Sequence, residues 1–194
     1  MIIRPLRGAD IQLAKDIAMS KFKVSGTAPP SPQALNDFLS AILNPTRRIQ
    51  FYGLFEDDKL ISWIAFKFGE LHGEPIWAIL NIYSSVSGVF SFNRSDIKPL
   101  IRKAFTMAEG AGYFTYIYTI SKRLESVYER RWKKNDWIKV GRYELHTIAE
   151  VKANSEAPEA WMSRLIGGVK PHDVVIKKRI LKPEFRNDLH TEDI

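Results

Sequence analysis

The stretch Ser85-Val86-Ser87-Gly88-Val89-Phe90-Ser91-Phe92-Asn93-Arg94-Ser95-Asp96 gathers hydroxyl, amide and guanidinium donors into one short polar segment. Strongly apolar segments flank it, IWAILNIYS before and IKPLIRKAFTMAEGAGY after. A strand that passes through a loop into a helix is a common anion site. The first helical N–H groups lack an intrahelical acceptor, and about half a positive charge accumulates there. Ser91, Asn93 and Ser95 can donate hydrogen bonds, Arg94 can supply charge, and Gly88 permits one unusual backbone angle. The chemistry such a loop serves is phosphate binding. Two features oppose it: Val89, Phe90 and Phe92 restrict close backbone approach, and Asp96 helps the helix but repels phosphate. A phosphate cradle and a plain connection both fit the stretch.

A second concentration of chemistry is cationic. Lys122-Arg123 and Arg130-Arg131-Trp132-Lys133-Lys134 are the densest positive runs in a chain of net charge +7. That balance favours anionic partners in general: nucleotide phosphates, nucleic acid or an acidic surface. Trp132 and Tyr128 interleave with the cations, as in proteins that stack bases while neutralising phosphate. Glu125 and Glu129 dilute the field, and salt bridges at helical spacing explain the same pattern. There is no cysteine, hence no disulfide framework and no thiolate nucleophile. The four histidines have no metal-ligand spacing, so no metal is expected.

These residues need a scaffold, and 194 residues with 45% apolar content suffice for a domain with a real core. No apolar run reaches membrane-spanning length. MIIRPLRGAD lacks the features of a signal peptide, and a cytoplasmic location fits. Ile2–Leu6 reads as a short edge strand, with Pro5 where a donor can be spared. Asp10 is placed to cap a helix over Ile11–Phe22. Ser31-Pro32 is a helix start, and Leu35, Phe38, Leu39, Ile42 and Leu43 form one apolar face. Gln50–Glu56, Leu60–Glu70 and Ile76–Ser85 are strands joined by short turns, an antiparallel meander. The third is apolar on both faces and so should be central. Ile97–Ala108 is an amphipathic helix, and Tyr113–Ile120 a strand returning by a right-handed parallel crossover. Ser121 can cap a helix through about Asn135. Trp137–Lys152 is a strand, Pro158–Ile166 a short helical insertion, and Asp173–Leu181 a last strand. The tail after Pro183 is polar and expected to fray.

This order is strand, two helices, meander, helix, strand, helix and two strands, and it resembles the GNAT acyltransferase superfamily. IIRPLRGADIQLAKDIA looks like that family's first strand and helix. SKRLESVYERRWKKNDWIKVGRYELHTI resembles its fourth helix and sixth strand. The resemblance covers residues 1–182 and leaves 183–194 as a tail. It implies a single-domain α/β (α+β) fold: a mixed sheet of about seven strands flanked by helices on both faces. Two departures stand out. SVSGVFSFNRSD lacks the family's glycine-rich phosphate motif. Asp136-Trp137 replaces a Gly-Phe pair, and Trp132 takes the place of a tyrosine, with Tyr128 one turn earlier on the same face.

The resemblance implies transfer of an acetyl or other acyl group from acyl-coenzyme A to a primary amine, on a small molecule or a peptide, by direct attack. The cofactor's pantetheine arm would lie along the fourth strand, making Ile82, Tyr83 and Ser84 wall residues. Gly88, Ser91, Asn93, Arg94 and Ser95 would hold the diphosphate, and Lys122 and Arg123 the adenine and 3′-phosphate. Tyr128 is the candidate acid. For a base, Glu70, His72 and Glu74 cluster at one turn, and Glu144 and His146 alternate on a strand, of which Glu144 is chosen. An exposed hairpin tip and ordinary polar strand positions explain the same residues. A second reading is a catalytically degenerate GNAT-like interaction or assembly protein, as among phage-borne relatives, exposing Phe90, Phe92, Trp132 and Trp161. A nucleic-acid-binding protein ranks third. A homodimer is compatible with any of these, and no membrane is involved.

Overall fold

The structure, a computed structural model, describes residues 1–25, 31–45, 48–88, 93–133, 140–153 and 173–187. The strands are β1 (Ile2–Pro5), β2 (Ile49–Glu56), β3 (Lys59–Leu71), β4 (Glu74–Ser84), β5 (Thr115–Ser121), β6 (Tyr143–Val151) and β7 (Val174–Leu181). They form one seven-stranded sheet in the order β1-β2-β3-β4-β5-β7-β6. The helices among the described residues are α1 (Ile11–Ser25), α2 (Pro32–Ser40), α3 (Lys98–Gly110) and α4 (Glu125–Lys133). The sheet is mixed: β4 and β5 run parallel with α3 between them in the chain, while β1–β2, β2–β3, β5–β7 and β6–β7 are antiparallel. The chain divides into two compact units. The first holds Met1–Phe68 and Ile79–Phe105, the second Gly69–Ala78 and Thr106–Ile194.

The meander follows from its turns. Asp57 and Asp58 both take positive φ, 46° and 63°, between the paired ends Glu56 and Lys59. His72 and Gly73 do the same, at 49° and 80°, between β3 and β4. Two successive left-handed residues match the twist of antiparallel strands.

In the first unit the core joins α1 and α2 to the sheet through Leu6, Ala14, Ile17, Ala18, Leu35, Leu39, Phe51, Phe55 and Trp63. Trp63 is wholly buried, and its indole N–H donates to the Ala14 carbonyl at 3.0 Å. Its ring lies 4.7 Å from that of Tyr83 on β4. Ser31 caps α2 as its sequence predicts, accepting from the Ala34 N–H at 3.1 Å with Pro32 following. Asp10 differs from expectation. It closes a 3₁₀ turn (Gly8–Asp10) as that turn's third residue, accepting from the Arg7 N–H at 2.7 Å. It is fixed by Arg4, whose two nitrogens reach its carboxylate at 2.7 and 3.0 Å. Arg4 is the stronger attraction within hydrogen-bond reach, so the carboxylate turns to β1 and not along α1.

In the second unit Ile117, Val174 and Ile176 form one small core with Leu71, Ile76, Ile148 and Val151 around them. Ser121 stands at the N-cap position before the turn that leads into α4 but makes no capping bond, and its buried hydroxyl has no partner among the described residues. A 3₁₀ turn over Lys122–Leu124 separates it from the helix proper. β6 begins at Tyr143 after a second such turn, Val140–Arg142; Trp137 and the insertion at 158–166 lie outside the described residues. The chain past Pro183 does not fray at once. Pro183–Phe185 forms a turn to which Arg142 donates at the Phe185 carbonyl, 3.3 Å away.

Gly53 shows how closely the first unit is packed. A Cβ there would stand 2.6 Å from Leu60 Cδ1 and 2.7 Å from both Leu6 Cδ2 and Phe55 Cε2. Gly53→Ala therefore overpacks three side chains at once, and urea unfolding is expected to show a loss of about 1–3 kcal/mol.

Candidate functional site

β4 is the fourth of seven strands, yet it is not buried throughout. Among the described residues its ladder with β5 consists of Ile76↔Thr115 and Trp77↔Tyr116. Trp77 and Ala78 are buried, but Ile79, Leu80, Asn81 and Ile82 are each only half-buried. The central position expected for this strand is observed, whereas burial on both faces is not. Ile82 is thus half-exposed, while Tyr83 is buried against Trp63.

At the end of β4 the chain enters the polar loop. Arg94 is its organiser. Its Nε donates to Asp96 Oδ1 at 2.9 Å and its Nη2 to Asp96 Oδ2 at 2.8 Å. The same Nη2 donates to the Val86 carbonyl at 2.8 Å, and Nη1 reaches the Gly88 carbonyl at 3.4 Å. Ser84 donates its hydroxyl to Asp96 and accepts from the Val86 N–H at 3.0 Å. The Asp96 carbonyl accepts from the buried Ser62 hydroxyl of β3. Gly88 takes φ 127°, a conformation that side chains disfavour. At the entrance to α3 the N–H groups of Ile97 and Lys98 go to the Arg94 carbonyl at 3.0 and 2.8 Å.

Asp96 is buried, and burial alone would push its pKa up. Hydrogen bonds from Arg94 and Ser84 outweigh that effect and hold the carboxyl below its ordinary value. Arg94 thus has its charge answered within the loop. Ser95 is exposed with its hydroxyl uncommitted among the described residues, and Asn93 is exposed. Ser91, with Phe90 and Phe92, lies outside the described residues.

The second unit contains the other expected site residues. Tyr128 lies on the inner side of α4, its ring 5.0 Å from that of Tyr118 and 6.3 Å from that of Trp132. Burial pushes the Tyr128 phenol well above its ordinary pKa, and neighbouring Tyr116, Tyr118 and Glu129 add to this against Arg179. The phenol therefore stays protonated through neutral pH. Trp132 is buried and extends the aromatic row to Tyr143, edge to face at 6.2 Å. Lys122 and Arg123 are exposed, and Lys122 pairs with Glu150 at 2.5 Å. Glu144 is exposed on β6, the edge strand, with His146 Nε2 3.6 Å from its carboxylate. At the turn between β3 and β4 Glu70 and His72 are exposed, while Glu74 accepts from the Thr115 hydroxyl at 2.6 Å and pairs with Lys178 at 3.4 Å.

Sequence reasoning missed the cations beneath α4. Lys177 and Arg179 on β7 are buried, Lys177 paired with Glu125, and Arg179 with Glu129 at 2.8 Å. The Arg179 guanidinium also lies 3.8 Å over the Trp132 ring. Strand alternation was the available signal: two cations two apart, flanked at the same spacing by Val175 and Leu181. No group of three or more acidic or histidine side chains among the described residues could hold a metal ion. No described helix is long and apolar enough to cross a membrane.

Neither a family model nor a curated protein matches the sequence. Solved structures do match. A probable acetyltransferase from Staphylococcus epidermidis is similar with a TM-score of 0.56 at 15% identity, over 91% of this chain and 96% of that one. A ribosomal-protein-alanine N-acetyltransferase from Brucella melitensis gives 0.57 at 10% identity, over 93% and 100%. A PaiA N-acetyltransferase from Thermoplasma acidophilum, in complex with coenzyme A, gives 0.52 at 14%, over 91% and 96%. The fold is that of the GNAT acetyltransferases.

Replacing Asp96 by Asn leaves Arg94 without its counter-charge inside the loop. The expected cost is about 2–3 kcal/mol at neutral pH, at the low end for such pairs because Arg94 keeps some solvent. The folded-state pKa of Asp96 is depressed, so its stabilisation is present above the ordinary carboxylate range. That contribution is lost as pH falls through the folded value. Chemical denaturation from pH 7 to pH 3 should therefore show a shallower acid decline for Asp96→Asn than for the wild type.

Proposed function

We propose that the protein is an acyl-coenzyme A-dependent N-acyltransferase acting on a primary amine of a small molecule or peptide. The observation that carries this reading is β4. Its half-exposed apolar residues Ile79, Leu80 and Ile82 lead straight into the polar loop before α3, so one strand offers an apolar flank and an entry to a helix N-terminus. Coenzyme A, whose pantetheine arm alternates amide groups with methylene segments and ends in a diphosphate, uses both. The fold is shared with a structure that holds coenzyme A, which supports the same assignment.

In this reading Ile82, Tyr83 and Ser84 form the wall for the arm. The diphosphate takes its donors from Gly88, Ser91, Asn93 and Ser95, with Arg94 shaping the loop around them. Lys122 and Arg123 contribute charge toward the nucleotide's 3′-phosphate. The amine nitrogen attacks the thioester carbonyl carbon, and the C–S bond breaks as the amide forms. A base takes one proton from the nitrogen, and the departing thiolate takes another from an acid. Tyr128, kept neutral by burial, is the acid. For the base the reading keeps Glu144, exposed on the edge strand β6 beside His146, with water carrying the proton to it from the amine.

Isothermal calorimetry with acetyl-coenzyme A and with coenzyme A tests the binding. Saturable heat and a raised melting temperature are expected, and no heat with either at high protein concentration removes the reading. For the chemistry, Tyr128→Phe should lower kcat on the order of a hundredfold while leaving KM for the acyl donor unchanged. Equal activity in that variant would take Tyr128 out of the mechanism.

A further inference from the structure

The carboxylates of α4 and its cations face opposite ways. Glu125 and Glu129 lie one turn apart on the inner side, where Lys177 and Arg179 of β7 neutralise them. Arg130, Arg131 and Lys133 are exposed on the outer side and form no ion pair among the described residues. The acidic residues that dilute the charge along the sequence therefore do not dilute it on the surface. What α4 presents to solvent is Ser126 with three cations that make no ion pair among the described residues, in a chain of net charge +7 and pI about 9.5.

The aromatic residues do not share that surface. Trp132 is buried, and Tyr128 turns inward against Tyr118. Among the described residues the outer face of α4 thus presents no aromatic ring on which a base could stack, and Arg130, Arg131 and Lys133 outnumber its one apolar neighbour, Leu124. Two of its three cations are arginines, whose planar forks suit phosphate oxygens. A surface of this kind matches a regular row of phosphates without reading the bases.

We propose that the outer face of α4 docks the phosphodiester backbone of nucleic acid, independently of sequence. This inference does not rest on the acyl-transfer reading. It uses neither Lys122 nor Arg123, and it stands or falls on different residues.

The test is fluorescence anisotropy of the full chain with a labelled 20-nucleotide single-stranded RNA and a duplex DNA of equal length, between 50 and 200 mM KCl. Dissociation constants on the order of 1–100 µM are expected at the low-salt end, with log K falling against log salt. The triple variant Arg130→Gln, Arg131→Gln and Lys133→Gln should weaken binding at least tenfold. It should flatten the slope by about 2 for the single strand or about 3 for the duplex, from three lost phosphate contacts. Its circular dichroism melt should match the wild type, because these side chains are exposed. Should that variant fold poorly, the single changes Arg130→Gln and Lys133→Gln should each weaken binding and flatten the salt slope by about 1, and no change in either overturns the proposal. Absence of binding to both probes at 50 mM KCl overturns the proposal, as does an unchanged affinity in the triple variant. Polyglutamate of equal charge binding as tightly as RNA would also overturn it, by showing a surface that takes acidic polypeptide equally well.

Discussion

Every N–H and C=O inside a sheet has to find a partner, and a middle strand must find them on both sides. Among the described residues the ladder of β4 with β5 consists of Ile76↔Thr115 and Trp77↔Tyr116. The following residues Ile79, Leu80 and Ile82 keep the composition of an interior element without the burial that composition normally receives. Left to water, those apolar side chains stay half-wet, at roughly 25 cal/mol for each Å² exposed. A ligand that carries amides and methylenes can cover them. The same strand leads directly into the Ser84–Asp96 loop, so one element sets both the flank for an extended chain and the entry to α3.

The charges obey a second constraint, that a cation removed from water needs a carboxylate within reach. β7 places Lys177 and Arg179 two residues apart on one face, about 6.6 Å along the strand. α4 places Glu125 and Glu129 four apart, about 6 Å along its axis. The two spacings match closely enough for two ion pairs to form side by side. Buried ion pairs are weak contributors to net stability, but they are strict about geometry. Here they fix which side of α4 faces the sheet, and hence which side is left cationic.

Much of this was legible in the residues. The tight turns at Asp57-Asp58 and His72-Gly73, the cap at Ser31 and the strand–helix–strand order all carry local signals, and the sheet follows from them. What could not be read were pairings set by tertiary approach. Asp10 looks like a cap because nothing in the sequence says that Arg4 is nearer than the helix N–H groups. Glu125 and Glu129 look like partners for the cations beside them on α4, since spacing alone cannot show that β7 supplies stronger ones. Half-exposure of Ile79 and Leu80 was hidden for the same reason: hydrophobicity shows that a strand suits an interior place, not how much of each side chain will be covered there.

The loop raises the same issue at a finer scale. A glycine-rich phosphate loop reaches its anion with the backbone because no side chain intervenes. With Gly88 as its sole glycine, this loop is shaped from within instead, by Arg94 holding Asp96, Val86 and Gly88. That arrangement consumes the arginine's charge and sets a carboxylate at the threshold of α3. Any anion received there meets the hydroxyl of Ser95 and the helix end, not a free guanidinium. On the proposed reading, affinity for a molecule with both a diphosphate and an extended amide arm rests more on the arm, laid against the half-exposed side chains of β4.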